Sequence, residues 1–170
     1  MAKITTEVKI LVFTEGTIIM HKNATGRSRE DAVQQVKEND ESVNDYKSYV
    51  PIGNAVNKLK IWKSQGAEIL YLTSRRKPKE IEDIRQVLKK HNFPDGQLLS
   101  RHEDEENKDV AERVVPDILI EDDCESIGGT DEMTIAHVKP EIKRKIKSIV
   151  VKEFGGIERL PNNIKGLLED

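Results

Sequence analysis

Polar and charged side chains follow three apolar runs of this sequence, and their types suit phosphate and divalent-cation chemistry. Residues 13–17 are Phe-Thr-Glu-Gly-Thr, residues 73–76 are Thr-Ser-Arg-Arg, and residues 121–125 are Glu-Asp-Asp-Cys-Glu. Lys108 lies in a charged segment before the third group. Hydroxyls and amides bind phosphate oxygens, carboxylates bind Mg²⁺, and a lysine balances remaining negative charge. The three groups and Lys108 could therefore form one site, provided that the fold brings them together.

Short apolar runs predict the strands that would position these groups. Residues 8–13, 68–73 and 117–121 have the pattern of buried strands, and 97–99 and 134–137 are shorter candidates. Continuous apolar runs of this length are typical of strands covered on both faces. Because sites in open α/β sheets lie beyond the carboxyl ends of the strands, we expect the polar groups to meet at one edge of the sheet.

Amphipathic segments between the apolar runs predict helices at residues 54–65, 78–91, 104–114 and 140–154. Pro78 suits a first helical turn, and Gly66 suits a helix end. The last helix is predicted from Ile142, Ile146 and Ile149, which recur at helical spacing. Alternating strands and helices predict a three-layer α/β, Rossmann-like domain with a parallel central sheet.

Residues 20–50 interrupt this alternation, since they are polar and contain no strand pattern. Ser28 and Asp31 resemble a helix-capping pair, and Ala32, Val33 and Val36 could line one helix face. We interpret the segment as a small helical, cap-like insertion in a single domain that spans residues 1–170.

Composition limits the classes of function. Of the 170 residues, 36 % are hydrophobic and 35 % are charged, which predicts a small core under a highly charged surface. A formal net charge of −3 argues against a nucleic-acid partner or an acidic membrane surface. No stretch approaches the roughly 18 apolar residues of a membrane helix. Cys124 is the single cysteine, so no internal disulfide can form and a cytoplasmic location is expected.

The ordered motifs resemble those of the haloacid-dehalogenase-like (HAD-like) superfamily, in particular its small, nearly capless phosphatases. FTEGT at 13–17 looks like the first motif, Asp-x-Asp-Gly-Thr, and LTSR at 72–75 looks like the second. Lys108 matches the lysine of the third motif, and IEDDCESI at 120–127 looks like the fourth, an apolar strand that ends in paired acids. The resemblance covers residues 8 to 137.

The resemblance implies a role for each matching residue. The phosphate of a small phosphorylated molecule would be bound by Thr73, Ser74, Lys108, Gly16 and Thr17. Mg²⁺ would be held by Asp122 and the backbone carbonyl of Glu15, and Asp123, Glu121 or the Glu15 side chain could add negative charge.

Phe13 departs from the family pattern at the most important position. In the family, an aspartate there attacks phosphorus and binds Mg²⁺, and phenylalanine can do neither. Glu15 stands at the general acid/base position, where it keeps the carboxylate but is one methylene longer than aspartate. A shifted register does not recover a nucleophile, because no aspartate lies between Met1 and Arg29.

Three functions remain open from the sequence. The first is a degenerate member that binds Mg²⁺ or a phosphorylated small molecule with little or no hydrolysis. The second is an active Mg²⁺-dependent phosphohydrolase that uses an unrecognised route, and the third is an interaction or structural role without catalysis. The missing aspartate at Phe13 favours the first and third functions, and the sequence predicts no oligomeric state.

Overall fold

A computed structural model describes residues 7–169 of the chain. The strands are β1 (Lys9–Phe13), β2 (Ile19–Met20), β3 (Val50–Pro51), β4 (Glu68–Leu72), β5 (Leu98–Leu99), β6 (Ile118–Asp122) and β7 (Lys147–Val151). The α-helices are α1 (Arg29–Lys37), α2 (Ala55–Ser64), α3 (Pro78–Lys90), α4 (Asn107–Val114), α5 (Pro140–Lys143) and α6 (Ile164–Leu168). Across residues 7–169, every helix is too short or too polar to span a lipid bilayer.

The central sheet is parallel and has the strand order β5-β4-β1-β6-β7. Successive residues of β1 face opposite sides, so Ile10 and Val12 join one hydrophobic cluster and Leu11 and Phe13 join another. Helices α2, α3 and α6 pack on the first face, and α4 packs on the second. This arrangement confirms the predicted three-layer, Rossmann-like α/β fold.

Four of the predicted strands are present with boundaries shifted by at most one residue, but the one at 134–137 is wrong. Residues Thr134–His137 form a 3-10 helix instead. The physical reason is the buried carboxylate of Glu121, which accepts the backbone N–H groups of Thr134 and Ile135 at 2.7 and 3.0 Å. These two amides are therefore satisfied by a side chain and do not pair with a strand.

The long helix predicted at 140–154 is also wrong. Only α5 is helical there, and β7 follows it and pairs in register with β6, so that Asp122 lies opposite Val151. The β-branched run Ile149-Val150-Val151 favours a strand, because branched side chains pack well on a pleated surface. Helical spacing of the isoleucines did not outweigh this preference. The other three predicted helices correspond to α2, α3 and α4.

Residues 20–50 fold into the predicted helical insertion. Besides α1, it contains 3-10 helices at Lys22–Ala24, Glu41–Asn44 and Tyr46–Ser48. The Ser28 hydroxyl oxygen accepts the backbone N–H of Asp31 at 3.1 Å, as the capping pair predicts. The short antiparallel pair β2–β3 closes the base of the insertion and gives no sequence signal at two residues per strand.

The C-terminal segment covers α2 through side-chain contacts with backbone carbonyls. Trp62 is fully buried, and its indole N–H donates to the carbonyl of Pro161 at 2.9 Å. Lys58 donates to the carbonyl of Leu160 at 2.8 Å. These bonds fix the chain that follows β7 against the sheet.

Replacing Trp62 should therefore destabilise the fold and loosen the C-terminal segment. Trp62→Phe removes buried volume and leaves the Pro161 carbonyl without its donor, so the free energy of unfolding should fall by roughly 1–3 kcal/mol. Urea unfolding measures this change. Leu168→Ala, at a half-exposed position, is the matched control and should change it by less than about 0.5 kcal/mol. A loss of the same size in both variants would contradict the role given to the indole.

Candidate functional site

A cavity of about 260 Å³ lies at the carboxyl ends of β1, β4 and β6. Chain connections run in opposite directions from β1, toward β4 and β5 on one side and toward β6 and β7 on the other. Such a switch point is the expected position of a ligand site in an open α/β sheet. The structure thus brings the three predicted polar groups to one edge of the sheet.

The turn after β1 is tight and requires glycine. The carbonyl of Thr14 accepts the N–H groups of Ile18 and Ile19 at 3.0 and 3.1 Å. Gly16 has a φ of +84°, and a Cβ there would lie 2.9 Å from a carboxylate oxygen of Asp122. Glycine alone combines this backbone conformation with so close an approach.

The carboxylate of Glu15 crosses from this turn to the turn after β4. It accepts the hydroxyl of Thr73, the backbone N–H of Ser74 at 3.1 Å and the hydroxyl of Thr14 at 2.9 Å. Thr73 and Ser74 are the groups that the sequence predicts for phosphate. In the structure, the carboxylate of Glu15 is the acceptor for both groups.

Asp122 is a buried carboxylate at the end of β6. Its oxygens accept the hydroxyl of Thr17 at 2.9 Å and the backbone N–H of Cys124 at 2.8 Å. Burial, and after it the negative charges of Glu153 and Asp123, raise the pKa of Asp122 to about 7, although the hydrogen bonds from Cys124 and Thr17 act to lower it. The site therefore disfavours negative charge at Asp122 unless a cation is added.

Asp122 is one of three carboxylates that lie close together. Oxygens of Asp122, Asp123 and Glu153 lie within 4.8 Å of one another. Glu153 accepts both the backbone N–H and the hydroxyl of Ser126 at 2.7 Å, and its own N–H donates to Asp123 at 3.1 Å. Hard carboxylate oxygens are the ligands that Mg²⁺ prefers, and a divalent cation would offset the repulsion that raises the pKa of Asp122. The donor set fits such an ion.

Glu153 was not among the predicted site residues. It follows β7, which periodicity had assigned to a helix. Had the β-branched run of β7 been taken as a strand, the same rule that selected the acids after β6 would have selected Glu153. Glu121 also lines the cavity, but both of its carboxylate oxygens accept backbone N–H groups, from Thr134 and Ile135, and so hold the 3-10 helix at Thr134–His137.

Phe13 ends β1 and lines the cavity while it is 93 % buried among the residues of the second hydrophobic cluster. Cys124 also lines the cavity, and burial followed by the nearby carboxylates of Asp122 and Glu121 raises the pKa of its thiol. A thiol kept protonated in this way is a poor nucleophile.

Lys108 lies in α4 outside the wall of this cavity. Its ammonium is 3.2 Å from the carboxylate of Asp109 and 3.9 Å from that of Glu112. It lines a neighbouring depression instead, together with Arg101. The hydrogen-bonding groups predicted for phosphate all have acceptors within the chain, namely the amide of Gly16, the hydroxyls of Thr17 and Thr73, the amide of Ser74 and the ammonium of Lys108. Their phosphate roles stay predictions.

The insertion forms the outer wall of the cavity with Val36, Tyr46 and Tyr49. The guanidinium carbon of Arg75 lies 4.8 Å from the centre of the Tyr46 ring, and the guanidinium donates to the Tyr46 hydroxyl. The insertion contains no recognisable sequence motif, because isolated tyrosines in a polar segment form no regular pattern.

No protein-family model matches the chain, and no curated protein matches it. Among solved structures, it is similar to the class C acid phosphatase from Bacillus anthracis with tungstate bound, at 15 % identity and a TM-score of 0.56 over 91 % of this chain and 70 % of that one. A second structure of that phosphatase gives 16 % identity and a TM-score of 0.55, also over 91 % and 70 %. A chain of the Pnkp1/Rnl/Hen1 complex gives 14 % and 0.51, over 88 % of this chain and 48 % of that one. At these identities the similarity concerns the three-layer α/β fold alone.

The burial of Asp122 gives a pH dependence of stability with a definite sign. Its pKa of about 7 in the folded chain exceeds the unfolded value of about 3.9. Below about pH 4 the group is protonated in both states and its contribution to stability is fully present. As the pH rises toward and through 7, the unfolded chain ionises first, so the free energy of unfolding falls.

Asp122→Asn should flatten this dependence in metal-free buffer that contains a chelator. We compare the free energy of unfolding of the variant with that of wild type at each pH. This difference should be roughly 2–4 kcal/mol more favourable to the variant at pH 8 than at pH 4. Urea unfolding across this pH range measures the effect, and Asp131→Asn, on an exposed side chain, is the control. A wild-type profile that does not fall between pH 4 and 7 would contradict the burial of an unneutralised carboxylate.

Proposed function

We propose that the chain binds a phosphorylated small molecule at the strand-end cavity and hydrolyses it little or not at all. The observation that carries this proposal is the pair of occupants at the end of β1. Phe13 lines the cavity and stands where the sequence resemblance expects a nucleophilic aspartate. The Glu15 carboxylate accepts hydrogen bonds from Thr73 and Ser74, the two predicted phosphate donors of the next turn.

Loss of hydrolysis follows from the groups at hand. A phenyl ring supplies no lone pair for attack on phosphorus, and Glu15, the displaced acid/base candidate, is held by three donors. The hydroxyl of Thr14 is buried between Glu15 and the carbonyl of Leu72, 3.3 Å away, so it faces away from a ligand in the cavity. The raised pKa of Cys124 keeps its thiol protonated.

Phosphate binding is supported by the chemistry that Glu15 already satisfies. The turn after β4 presents a hydroxyl and an amide N–H that both donate to one carboxylate. A phosphate and the Glu15 carboxylate would compete for these two donors. Binding therefore requires Glu15 to turn away, which lowers the affinity by the free energy of its hydrogen bonds.

Mg²⁺ is proposed to bind to the carboxylates of Asp122, Asp123 and Glu153. When bound, the ion would neutralise part of the phosphate charge. Asp122 and Glu153 are the two buried carboxylates of the three, and the hydroxyl of Thr17 and the amide of Cys124 orient Asp122. Glu153 is oriented by Ser126.

Replacing Glu15 distinguishes a competitor from a catalyst. Glu15→Gln keeps the size of the side chain and removes its charge, so its hold on Thr73 and Ser74 weakens. We expect inorganic phosphate to bind about 3- to 30-fold more tightly to the variant than to wild type, by calorimetry. Glu41→Gln, an exposed residue of the insertion, is the matched control and should leave the affinity unchanged.

Hydrolysis assays on the same proteins decide between the remaining functions. Turnover of p-nitrophenyl phosphate should be at background in wild type and in Glu15→Gln. Robust Mg²⁺-dependent turnover that Glu15→Gln abolishes would establish the active phosphohydrolase instead. No phosphate binding by either protein would favour the interaction or structural role.

Glu153→Gln tests the metal site without reference to phosphate. Loss of one of three anionic ligands should weaken Mg²⁺ binding by about tenfold or more. Mn²⁺ relaxation or calorimetry measures the affinity, and Glu141→Gln, an exposed residue of α5, is the control. Equal affinity in Glu153→Gln and wild type would mean that the ion binds elsewhere.

A further inference from the structure

A second depression, of about 470 Å³, opens beside the strand-end cavity and shares part of its wall. The shared residues are Ser74, Arg75, Asn107, Ile127, Glu132 and Thr134. Arg101 and Lys108 line only the second depression. Because the two spaces adjoin, a ligand seated at the strand ends can extend along Arg75 into the second one.

Arg75 lies on the boundary and has no counter-ion among the described residues. Its side chain makes one hydrogen bond there, from the guanidinium to the hydroxyl of Tyr46, and stacks on that ring. Its Nε atom is buried without an acceptor in residues 7–169. A half-buried cation that is satisfied only by a neutral phenol favours the arrival of an anion.

Arg101 is similarly undercompensated. Its side chain is 15 % exposed, and one terminal nitrogen donates to the carbonyl of Ser74 at 2.5 Å. The other terminal nitrogen lies 3.6 Å from the carboxylate of Glu106, and Nε is buried without an acceptor in the described chain. Burial, and after it the positive charge of Arg76, lowers the pKa of Arg101.

The acidic groups near the depression do not prevent an anion from binding. Glu106 is 69 % exposed and is shared between Arg101 and Arg76, and exposed ion pairs of this kind are weak. Glu132 lines the depression from an exposed position. Lys108 is paired with Asp109, so the guanidiniums of Arg75 and Arg101 are the cations left to bind an anion in the depression.

We propose that Arg75 and Arg101 bind a second acidic group of the ligand, which makes the ligand a small molecule with a phosphate and a further phosphate or carboxylate. The first acidic group rests on the function proposed above, and the second rests on the two guanidiniums. A guanidinium binds either kind of oxyanion through two parallel N–H donors, so phosphate and carboxylate share this chemistry.

Calorimetry with three matched probes tests this inference on the full chain. Glycerol 3-phosphate carries one acidic group, 3-phosphoglycerate adds a carboxylate, and propane-1,3-diol bisphosphate adds a phosphate. We expect at least one of the two-acid probes to bind wild type about tenfold or more tightly than glycerol 3-phosphate. Which of the two binds more tightly identifies the second group.

Arg101→Gln and Arg75→Gln should remove most of this preference. Arg101 lies outside the strand-end cavity, so Arg101→Gln should leave the affinity for glycerol 3-phosphate within about threefold of wild type. Arg85→Gln is the matched control, because Arg85 is half exposed in α3 and pairs with Glu82. If the two variants fold poorly, the NMR signals of the Nε–H groups of Arg75 and Arg101 in wild type replace them. Those signals should shift with a two-acid probe and stay in place with glycerol 3-phosphate.

The failures of the two proposals are distinguishable. Equal affinity of wild type for all three probes, sensitive to Glu15→Gln, would overturn the second acidic group and leave the proposed function intact. A preference for two-acid probes that depends on Arg75 and Arg101 but not on Glu15 would support the guanidinium site and overturn the phosphate position at Thr73 and Ser74. Binding of none of the probes would overturn both.

Discussion

The arrangement of the site depends on the carboxylate of Glu15, which joins the turns after β1 and β4. Its hydrogen bonds to Thr73 and Ser74 hold two chain segments that are 58 residues or more apart in sequence. They also decide what the site can bind, because the donors that would face a phosphate already have an anionic acceptor. Gly16 permits this geometry, since any side chain there would meet Asp122.

Unbalanced charge is the second organising feature of this edge of the sheet. Asp122, Asp123 and Glu153 bring three carboxylates together. Arg75 lies on the wall that the cavity shares with the second depression, Arg101 lines the second depression, and the Nε atoms of both are buried without an acceptor in residues 7–169. Folding alone gains little from either group, because burial of like charges costs free energy. A ligand that combines a divalent cation with acidic groups would relieve both, and this complementarity links the metal proposal to the ligand proposal.

The sequence predicted the parallel sheet and the edge at which the three polar groups meet, because these depend on local signals. Buried parallel strands are continuous apolar runs, and the polar residues that follow them at 13–17, 73–76 and 121–125 must lie at the same edge. β7 escaped prediction because its residues satisfy helical spacing as well as β-branched preference, and Glu153 was lost with it. Spacing in the sequence could not show that the Glu15 carboxylate accepts the hydroxyl of Thr73, because the two residues meet only in the folded chain. Likewise, the hydrogen-bond acceptor of the Arg75 guanidinium is the hydroxyl of Tyr46, which lies 29 residues away in the sequence.

A crystal structure of the protein with Mg²⁺ and tungstate tests the central claim most directly, since tungstate mimics phosphate in transfer and binds side-chain nucleophiles in line. We expect tungstate beside Thr73 and Ser74, the Glu15 carboxylate turned away from both, and the Phe13 ring against the ion with no side-chain oxygen of β1 opposite a tungsten–oxygen bond. A carboxylate or hydroxyl oxygen in line with the tungsten, with Phe13 moved out of the cavity, would contradict the claim and restore a nucleophile to the site.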